Sequence, residues 1–360
     1  MELVNPVALD DAQVAELLAE ATREHFVGAT VSNIEKMSGG ASRETWSFDV
    51  SLPGADALGL ILRRDPGKTG SAGEEGWRGG KTTHSLDRTI EAELQSTVYK
   101  AGGLVAKVHF ALPKNHPLGD CYVMDRIEGE VLAPRILRDD LFSSARPMMA
   151  RQCGQILARL HSIDTGTLPA GLIKTPVAEL IAYYRDLLDN LGRYYRDETT
   201  VGRAEHHPAF ELTFRWLERN YPKEAPQTLV HGDFRNGNFI VGPEGIRAVL
   251  DWELGHVGDP MEDLGWLCVR AWRFGNNDNP VGGFGQVEDL FSAYEQAGGH
   301  KVDIEAVHFW EVMGTLKWGI TCIFQAYKHV SGLIDSFEHM AIGRRACENE
   351  IDLLHLIKEG

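Results

Sequence analysis

His231-Gly232-Asp233-Phe234-Arg235-Asn236-Gly237-Asn238, followed by Leu250-Asp251-Trp252-Glu253, is the stretch on which the reading of this chain turns. The first run has the form H-x-D-x-x-x-x-N, and Asp251 stands beyond it as a second aspartate. Phosphoryl transfer asks for this layout. One carboxylate takes a proton from an attacking hydroxyl, a nearby amide oxygen holds Mg²⁺, and a second carboxylate links the metal to nucleotide phosphates. Asp233, Asn238 and Asp251 supply those groups in that order. H-G-D alone is a common turn, with Gly at the bend and Asp closing an Asx-turn, and short motifs recur by chance. The flanks separate the two readings. Residues 225–230 look like a strand entering the loop. Residues 239–241 and 248–250 look like two short strands around a Pro243-Glu244-Gly245 turn. The aspartates then stand at strand ends on a hairpin, where they can converge.

With these residues in place, the chain resembles the aminoglycoside phosphotransferase family in its broad sense. That family includes choline-kinase-like and homoserine-kinase-like enzymes, and the kinase-like domains fused to acyl-CoA dehydrogenases. Residues 250–267 carry the most specific likeness. Leu-Asp-Trp-Glu-Leu-Gly-His-Val-Gly-Asp-Pro-Met-Glu-Asp-Leu-Gly-Trp-Leu is similar to the L-D-W-E-x-x-x-x-G-D-P-x-x-D-L-x-W-L run of the dehydrogenase-associated branch. The resemblance implies an α+β, bilobal, protein-kinase-like fold. A small antiparallel-sheet N-lobe would occupy residues 1–124 and bind nucleotide. A mainly helical C-lobe would occupy residues 125–360 and carry the catalytic loop and acceptor-binding helices.

Further landmarks follow one at a time. Ser38, Gly39, Gly40, Ala41 and Ser42 form a glycine-rich turn between two strand-like runs, so backbone amides there can approach phosphate oxygens. A Gly-Gly hairpin alone is an ordinary hairpin, but this position matches the family's nucleotide loop. Ile61-Leu62-Arg63 occupies the place of the kinase-like V-A-K strand, so the phosphate-gripping lysine is replaced by Arg63. Arginine stays charged and binds phosphate bidentately. Arg64 is the alternative, with strand parity against it. A partner carboxylate for Arg63 is expected on the helix-like run 85–101. Counting back from the Gly102-Gly103 break favours Glu91 over Glu93, with a solvated helix carboxylate as the plain alternative for each. Residues 122–129 look like the strand linking the lobes, and nucleotide-base contacts through main-chain groups are placed at Asp125 and Ile127. His231 is expected to support the catalytic loop. Glu253 and Asp263 are expected to assist, Asp263 by tying down the catalytic hairpin.

Composition bounds the rest. A chain of 360 residues can bury a large core and suggests two lobes or domains. With 24% charged and 43% hydrophobic residues it has the make-up of a globular protein. Asp10 is a good N-cap, and Gln13 completes a capping box for an amphipathic first helix presenting Val14, Leu17 and Leu18. No basic stretch followed by an apolar one predicts a signal peptide, and no run of 18 apolar residues predicts a membrane span. Cys121, Cys153, Cys268, Cys322 and Cys347 lack C-x-x-C spacing, which favours reduced thiols and a cytoplasmic setting. The net charge of −16 argues against nucleic acid or anionic membrane as partner. None of the 14 histidines falls into an H-E-x-x-H pattern, so those other than His231 are read as surface or packing residues, His161 among them.

Residues 65–86 are polar, glycine-rich and without apolar periodicity, which reads as a loop: a lid over the phosphates or a plain insert. Helical patterns dominate after residue 140, over 145–162, 177–195, 207–221, 260–274, 287–297, 303–329 and 336–357. The aromatics from Trp266 to Phe324 suit core packing first and a partly apolar acceptor site second. A polycationic aminoglycoside would call for an acidic cleft, for which Glu253, Asp259, Glu262 and Asp263 are the candidates. There is no D-F-G or A-P-E segment, which disfavours a protein kinase. The expectation is an ATP- or GTP-dependent, Mg²⁺-dependent transfer of the γ-phosphoryl group to a small-molecule hydroxyl. The rivals are a kinase of a hydroxyacyl or other metabolic alcohol, and a nucleotide-binding pseudokinase scaffold.

Overall fold

A computed structural model of the chain describes residues 9–37, 44–65, 85–196 and 206–359. The glycine-rich turn Ser38, Gly39, Gly40, Ala41, Ser42 lies outside them, as does nearly all of the 65–86 insert.

The first helix, α1 (Asp11–His25), starts at the expected capping box. The Asp10 carboxylate accepts from the Gln13 N–H at 2.8 Å, and the Gln13 side chain accepts from the Asp10 N–H at 2.9 Å. Five strands follow: β1 (Thr30–Lys36), β2 (Glu44–Ser51), β3 (Leu58–Arg64), β4 (Val108–Leu112) and β5 (Cys121–Asp125). They form one antiparallel sheet in the order β1-β2-β3-β5-β4. Helix α2 (Arg88–Lys100) interrupts them between β3 and β4. Side chains alternate across a strand, so the sheet sorts its residues onto two faces. Trp46, Phe48, Val50, Leu60, Leu62, Cys121 and Val123 pack with Val14 and Leu18 of α1. Ile61, Tyr122 and Met124 form a second small core with Ala92 of α2 and Ala106. Arg63 shares the parity of Ile61 and pairs in register with Tyr122, so it belongs to the α2 face. Arg64 belongs to the other face, where it is buried and its guanidinium lies 3.2 Å from Glu44.

From β5 the chain passes to a mainly helical region. Its helices are α3 (Ala133–Arg138), α4 (Arg146–His161), α5 (Val177–Arg196), α6 (Pro208–Asn220), α7 (Met261–Cys268), α8 (Val287–Gln296), α9 (Ile304–Val330), α10 (Phe337–Gly343) and α11 (Ala346–Glu359). Their shared core is large and apolar, built from residues such as Met149, Leu157, Phe210, Phe214, Leu264, Phe309, Leu316 and Leu353. Between α6 and α7 lie β6 (Thr228–Val230), the hairpin β7 (Phe239–Gly242) with β8 (Gly245–Val249), and β9 (His256–Gly258), which pairs with β6. The hairpin is fastened to the linker, because Glu130 and Val241 exchange both backbone hydrogen bonds at 2.9 Å.

Two helical runs divide where the sequence pattern was continuous. The 260–274 run is α7 followed by a 3₁₀ turn over Arg270–Arg273, ending at Phe274 in left-handed backbone geometry (φ 48°). The 336–357 run breaks into α10 and α11. Gly343 ends α10 pressed on α9, where a Cβ would come 2.4 Å from that of Ala326, so the chain turns at that close approach. No helix among the described residues is long and apolar enough to cross a membrane.

Candidate active site

The loop after β6 turns at Gly232. Its φ of +78° is costly for residues with a Cβ, and a Cβ there would come 2.5 Å from the Leu254 carbonyl. The turn is held from below by Asp263, in the first turn of α7. This buried carboxylate accepts from the N–H of His231 at 2.8 Å and of Gly232 at 3.0 Å. His161, at the end of α4, reaches the same carboxylate at 3.2 Å and the Tyr294 hydroxyl at 2.9 Å. Burial pushes Asp263 upward, but the hydrogen bond and charge of His161, with His231, outweigh it and hold the group below the ordinary carboxylate value.

His231 lies entirely inside this frame. Its Nδ1 accepts from the Asp233 N–H at 3.1 Å, and its Nε2 lies 3.0 Å from the Leu250 carbonyl, to which a protonated Nε2 donates. That pair of bonds selects the neutral Nε2–H tautomer. Burial lowers the His231 pKa against the raising effect of Asp263, in keeping with a neutral ring. His231 therefore joins the loop after β6 to the strand end that carries Asp251.

Asp233 and Asn238 meet. The Asn238 amide donates to the Asp233 carboxylate at 2.7 Å and to the Asp233 carbonyl at 2.9 Å. The other carboxylate oxygen of Asp233 accepts from Arg235 Nε at 3.0 Å and Trp266 Nε1 at 2.9 Å. Because the Asn238 amide nitrogen is engaged, its Oδ1 remains the atom able to meet a cation. The Asn238 carbonyl accepts from the Leu250 N–H at 2.8 Å, which draws the residue before Asp251 to Asn238. Asp251 has left-handed geometry (φ 67°, ψ 61°), a conformation that Asp tolerates better than most residues, and it keeps 30% of its side chain exposed.

Arg63 reaches this cluster from the sheet. Its guanidinium lies 2.7 Å from Asp251 and 3.8 Å from Glu91. Burial alone would lower its pKa, but Tyr122 and Asp251 reverse that and leave the guanidinium held more firmly charged than usual. Glu91, not Glu93, is the buried partner; Glu93 faces out on the same helix. Glu91 also accepts from the Tyr122 hydroxyl at 3.0 Å and pairs with Arg88, one turn away and fully buried. Arg88 lies 3.7 Å from Glu253, whose carbonyl accepts from the Leu86 N–H at 2.7 Å. Glu253 thus stands against the start of α2. At the linker, the Asp125 N–H donates to the Lys107 carbonyl at 2.9 Å.

Residues the sequence reading passed over complete the picture. Arg88, three residues before Glu91, carried a local signal in its i,i+3 spacing. His161 and Lys317 carried none. Lys317 Nζ, on α9, donates to the Gly232 carbonyl at 3.0 Å and lies 4.5 Å from the centre of the Trp266 ring. Both line a cavity of about 720 Å³ beside the loop, together with Tyr184, His256, Glu262 and Trp310. Two of the acids expected to make that cleft acidic are engaged. Asp259 accepts from Trp310 Nε1 at 2.8 Å and the Met261 N–H at 2.9 Å, and burial pushes its pKa up. Glu262 lies 3.1 Å from His256 Nε2, while His256 Nδ1 lies 2.9 Å from the Leu254 carbonyl. An acceptor at each nitrogen favours the protonated ring of His256. Burial opposes this, but the Glu262 charge prevails and its pKa is raised.

Comparison with known proteins places this arrangement. Residues 36–300 match the model of a family described as the phosphotransferase enzyme family. Acyl-CoA dehydrogenase family member 10 of Mus musculus is 28% identical over 247 residues, which make up 65% of this chain and 21% of that protein. The chain spans only about a fifth of the length of that relative. Among solved structures, a candidate aminoglycoside phosphotransferase from Ralstonia eutropha JMP134 superposes with a TM-score of 0.71 at 20% identity, covering 96% of this chain and 98% of that one. The GDP complex of wild-type aminoglycoside 2'-phosphotransferase-IIIa gives a TM-score of 0.60 at 12% identity, covering 94% and 98%. At such identities the likeness establishes the fold, a kinase-like α+β architecture with an antiparallel sheet in its N-terminal region.

Proposed function

The chain belongs to the phosphotransferase enzyme family, and on that premise we propose that it moves the γ-phosphoryl group of ATP or GTP to the hydroxyl of a small molecule. One observation carries this reading: Asn238 meets Asp233 and Arg63 meets Asp251, each at 2.7 Å, and the Leu250 N–H, donating to the Asn238 carbonyl at 2.8 Å, ties the two pairs together. The GDP held by aminoglycoside 2'-phosphotransferase-IIIa supports a nucleotide donor here.

Mg²⁺ fits the donor set. Among the described residues no group of three His, Cys, Asp or Glu could hold a metal ion. Mg²⁺ in phosphoryl-transfer sites asks for less, one or two carboxylates completed by phosphates and water. Asn238 Oδ1 and the Asp251 carboxylate would hold it, and it would neutralise charge on the β- and γ-phosphates.

The roles of the other residues follow from where they stand. Asp233 orients the acceptor hydroxyl and takes its proton. The oxygen bonds to the γ-phosphorus, the bond from that phosphorus to the bridging oxygen breaks, and the nucleoside diphosphate departs with the electron pair. Asp233 is fixed for this by Asn238, Arg235 and Trp266. Arg63 would steady the phosphates with Glu91 behind it, and Asp251 would hold the metal together with Asn238. The role proposed for Ser38, Gly39, Gly40, Ala41 and Ser42 is to bind phosphate oxygens through their backbone amides. Base contacts fall to the Asp125 carbonyl and the Ile127 N–H, since the Asp125 N–H is already engaged. An intact Asp233, Asn238 and Asp251 set argues against a scaffold without activity.

The test is a thermal-shift titration with Mg²⁺ and ATP or GTP. Wild-type protein is stabilised by the metal–nucleotide pair, and Asp251→Asn loses that stabilisation. An unchanged shift in Asp251→Asn removes Asp251 from the site.

A further inference from the structure

We infer that Arg126 is a positioning residue for the nucleotide: it clasps the linker to β2 across Gly59, and so holds the main-chain groups of Asp125 and Ile127 where a base would meet them. The inference rests on the phosphotransferase reading and deepens it on the nucleotide side.

The register of the sheet carries it. On the α2 face, Arg63 stands between Thr45 of β2 and Tyr122 of β5, and Ile61 between Ser47 and Met124. The next residue of β3 on this face is Gly59, which pairs with Asp49. Arg126 follows Met124 on the same face by parity, and its N–H donates to the Gly59 carbonyl at 2.8 Å. A side chain on β3 at this rung would stand between Arg126 and β2. Gly59 has none, and the Arg126 guanidinium fills the place: a Cβ on Gly59 would lie 2.6 Å from Nη2. From there Nη2 lies 2.8 Å from the Asp49 carboxylate, and Nη1 donates to the Ser47 hydroxyl at 2.9 Å. Gly59 has no left-handed backbone, so what glycine supplies here is room for a close approach.

Both ends of the clasp are braced. The Asp49 carboxylate also accepts from Asn33 Nδ2 of β1 at 2.7 Å, so two strands stand behind Arg126. The Asp125 side chain lies on the opposite face, with its carboxylate 2.6 Å from His109 of β4. The peptide between Asp125 and Arg126 is thereby fixed from both faces of the sheet. Just past Ile127, the Glu128 carbonyl accepts from Arg247 of β8 at 2.7 Å, which ties the linker to the C-lobe. The proposed base contacts fall between these ties. A segment ordered before binding loses less freedom when a ligand arrives, and so binds more tightly. Gly59 lies four residues from Arg63 along β3, roughly 13 Å at the rise of a strand. The clasp therefore acts on the base end of a nucleotide and not on its phosphates. Arg126 and Asp49 are both partly exposed, and Asp49 keeps Asn33, so removing Arg126 strands no buried charge.

Titration calorimetry in Mg²⁺ with ATP, GTP and tripolyphosphate, the last lacking base and ribose, tests the assignment. Arg126→Ala weakens the nucleotide that the wild type binds by about tenfold, the order expected when a segment must be ordered on binding, and leaves tripolyphosphate unchanged. Arg126→Lys keeps the charge but loses the fork that reaches two partners, so it recovers part of the loss. Gly59→Ala pushes a methyl group into the guanidinium and gives the loss seen in Arg126→Ala; the double variant is no weaker than either single one. Should Arg126→Ala not fold, Asp49→Asn removes the charge at the other end of the clasp and serves the same comparison. The inference is overturned if Arg126→Ala binds nucleotide as the wild type does, if nucleotide and tripolyphosphate weaken together, or if the losses in Gly59→Ala and Arg126→Ala add in full. A wild-type protein that binds neither ATP nor GTP refutes the phosphotransferase reading and the clasp with it. Nucleotide bound equally by wild type and variants refutes the clasp alone.

Discussion

Gly232 and Asp251 show how much the site depends on backbone states that few residues adopt. Gly232 turns with φ +78° and has the Leu254 carbonyl where a Cβ would be, so Gly232→Ala meets both strain and collision. Strain of this kind costs about 1–3 kcal/mol, and urea denaturation of Gly232→Ala should show a loss of that size or more. Asp251 is the reverse case. Asn occupies left-handed geometry as readily as Asp does, so Asp251→Asn should melt close to wild type without nucleotide while losing the metal-dependent shift. At Asp233 the expected effect falls on turnover alone. A base in contact with the attacking hydroxyl contributes about 10²–10⁴-fold to rate, so Asp233→Asn should reduce kcat by at least about 10². Nucleotide affinity should stay within a few-fold, because the carboxylate faces the acceptor. Steady-state kinetics with an acceptor that the wild-type protein phosphorylates, together with a nucleotide-binding titration, separates the two effects.

The elements around the loop explain what the sequence could and could not disclose. Strands of period two placed Arg63 and Arg64 on opposite faces before any coordinates, and counting back from the Gly102-Gly103 break favoured Glu91 over Glu93 without deciding between them, since both signals are local. The hairpin and the loop were legible for the same reason, being one continuous stretch. His161 was not. It reads as a core histidine, and it is one, but its imidazole fixes Asp263 across 102 residues of sequence, and no periodicity encodes that. The pairing of His256 on β9 with Glu262 on α7 was hidden for another reason: the two residues are near in sequence, but only the fold turns them toward each other. That pair makes a pH prediction. The His256 pKa is raised in the folded state, so its contribution is fully present below the unfolded value of 6.5 and is lost as pH rises through the higher folded value. Glu262→Gln removes the cause of the rise. The difference in melting temperature between wild type and Glu262→Gln should therefore be largest at pH 6 and shrink as pH is raised. A difference constant from pH 6 to pH 9 would mean that the pair does not titrate in this way.

At the scale of the whole molecule, the two lobes meet through charge. Arg63 on the sheet lies against Asp251 on the hairpin side, and Arg88 on α2 lies near Glu253. Arg63 belongs to the N-lobe by its strand and to the C-lobe by its partner, so it responds to whatever enters between them. In the proposed mechanism Asp251 would hold the metal and Arg63 would hold phosphate, so the contact between the two side chains marks where the nucleotide would enter. Arg63→Ala should raise the KM for nucleotide or lower kcat, while the KM for the acceptor changes little, because the acceptor cavity is lined by other residues. Arg63→Lys keeps the charge but loses the planar fork, so it should recover only part of the activity. The lost pairing with Asp251 costs less than a buried pair would, since Asp251 stays partly exposed and can be solvated. The kinetic effect should therefore exceed the effect on melting temperature. If alanine at Arg63 leaves nucleotide kinetics unchanged, the phosphates are gripped elsewhere. Arg64 is then a poor substitute, because it is buried on the opposite face of the sheet beside Glu44.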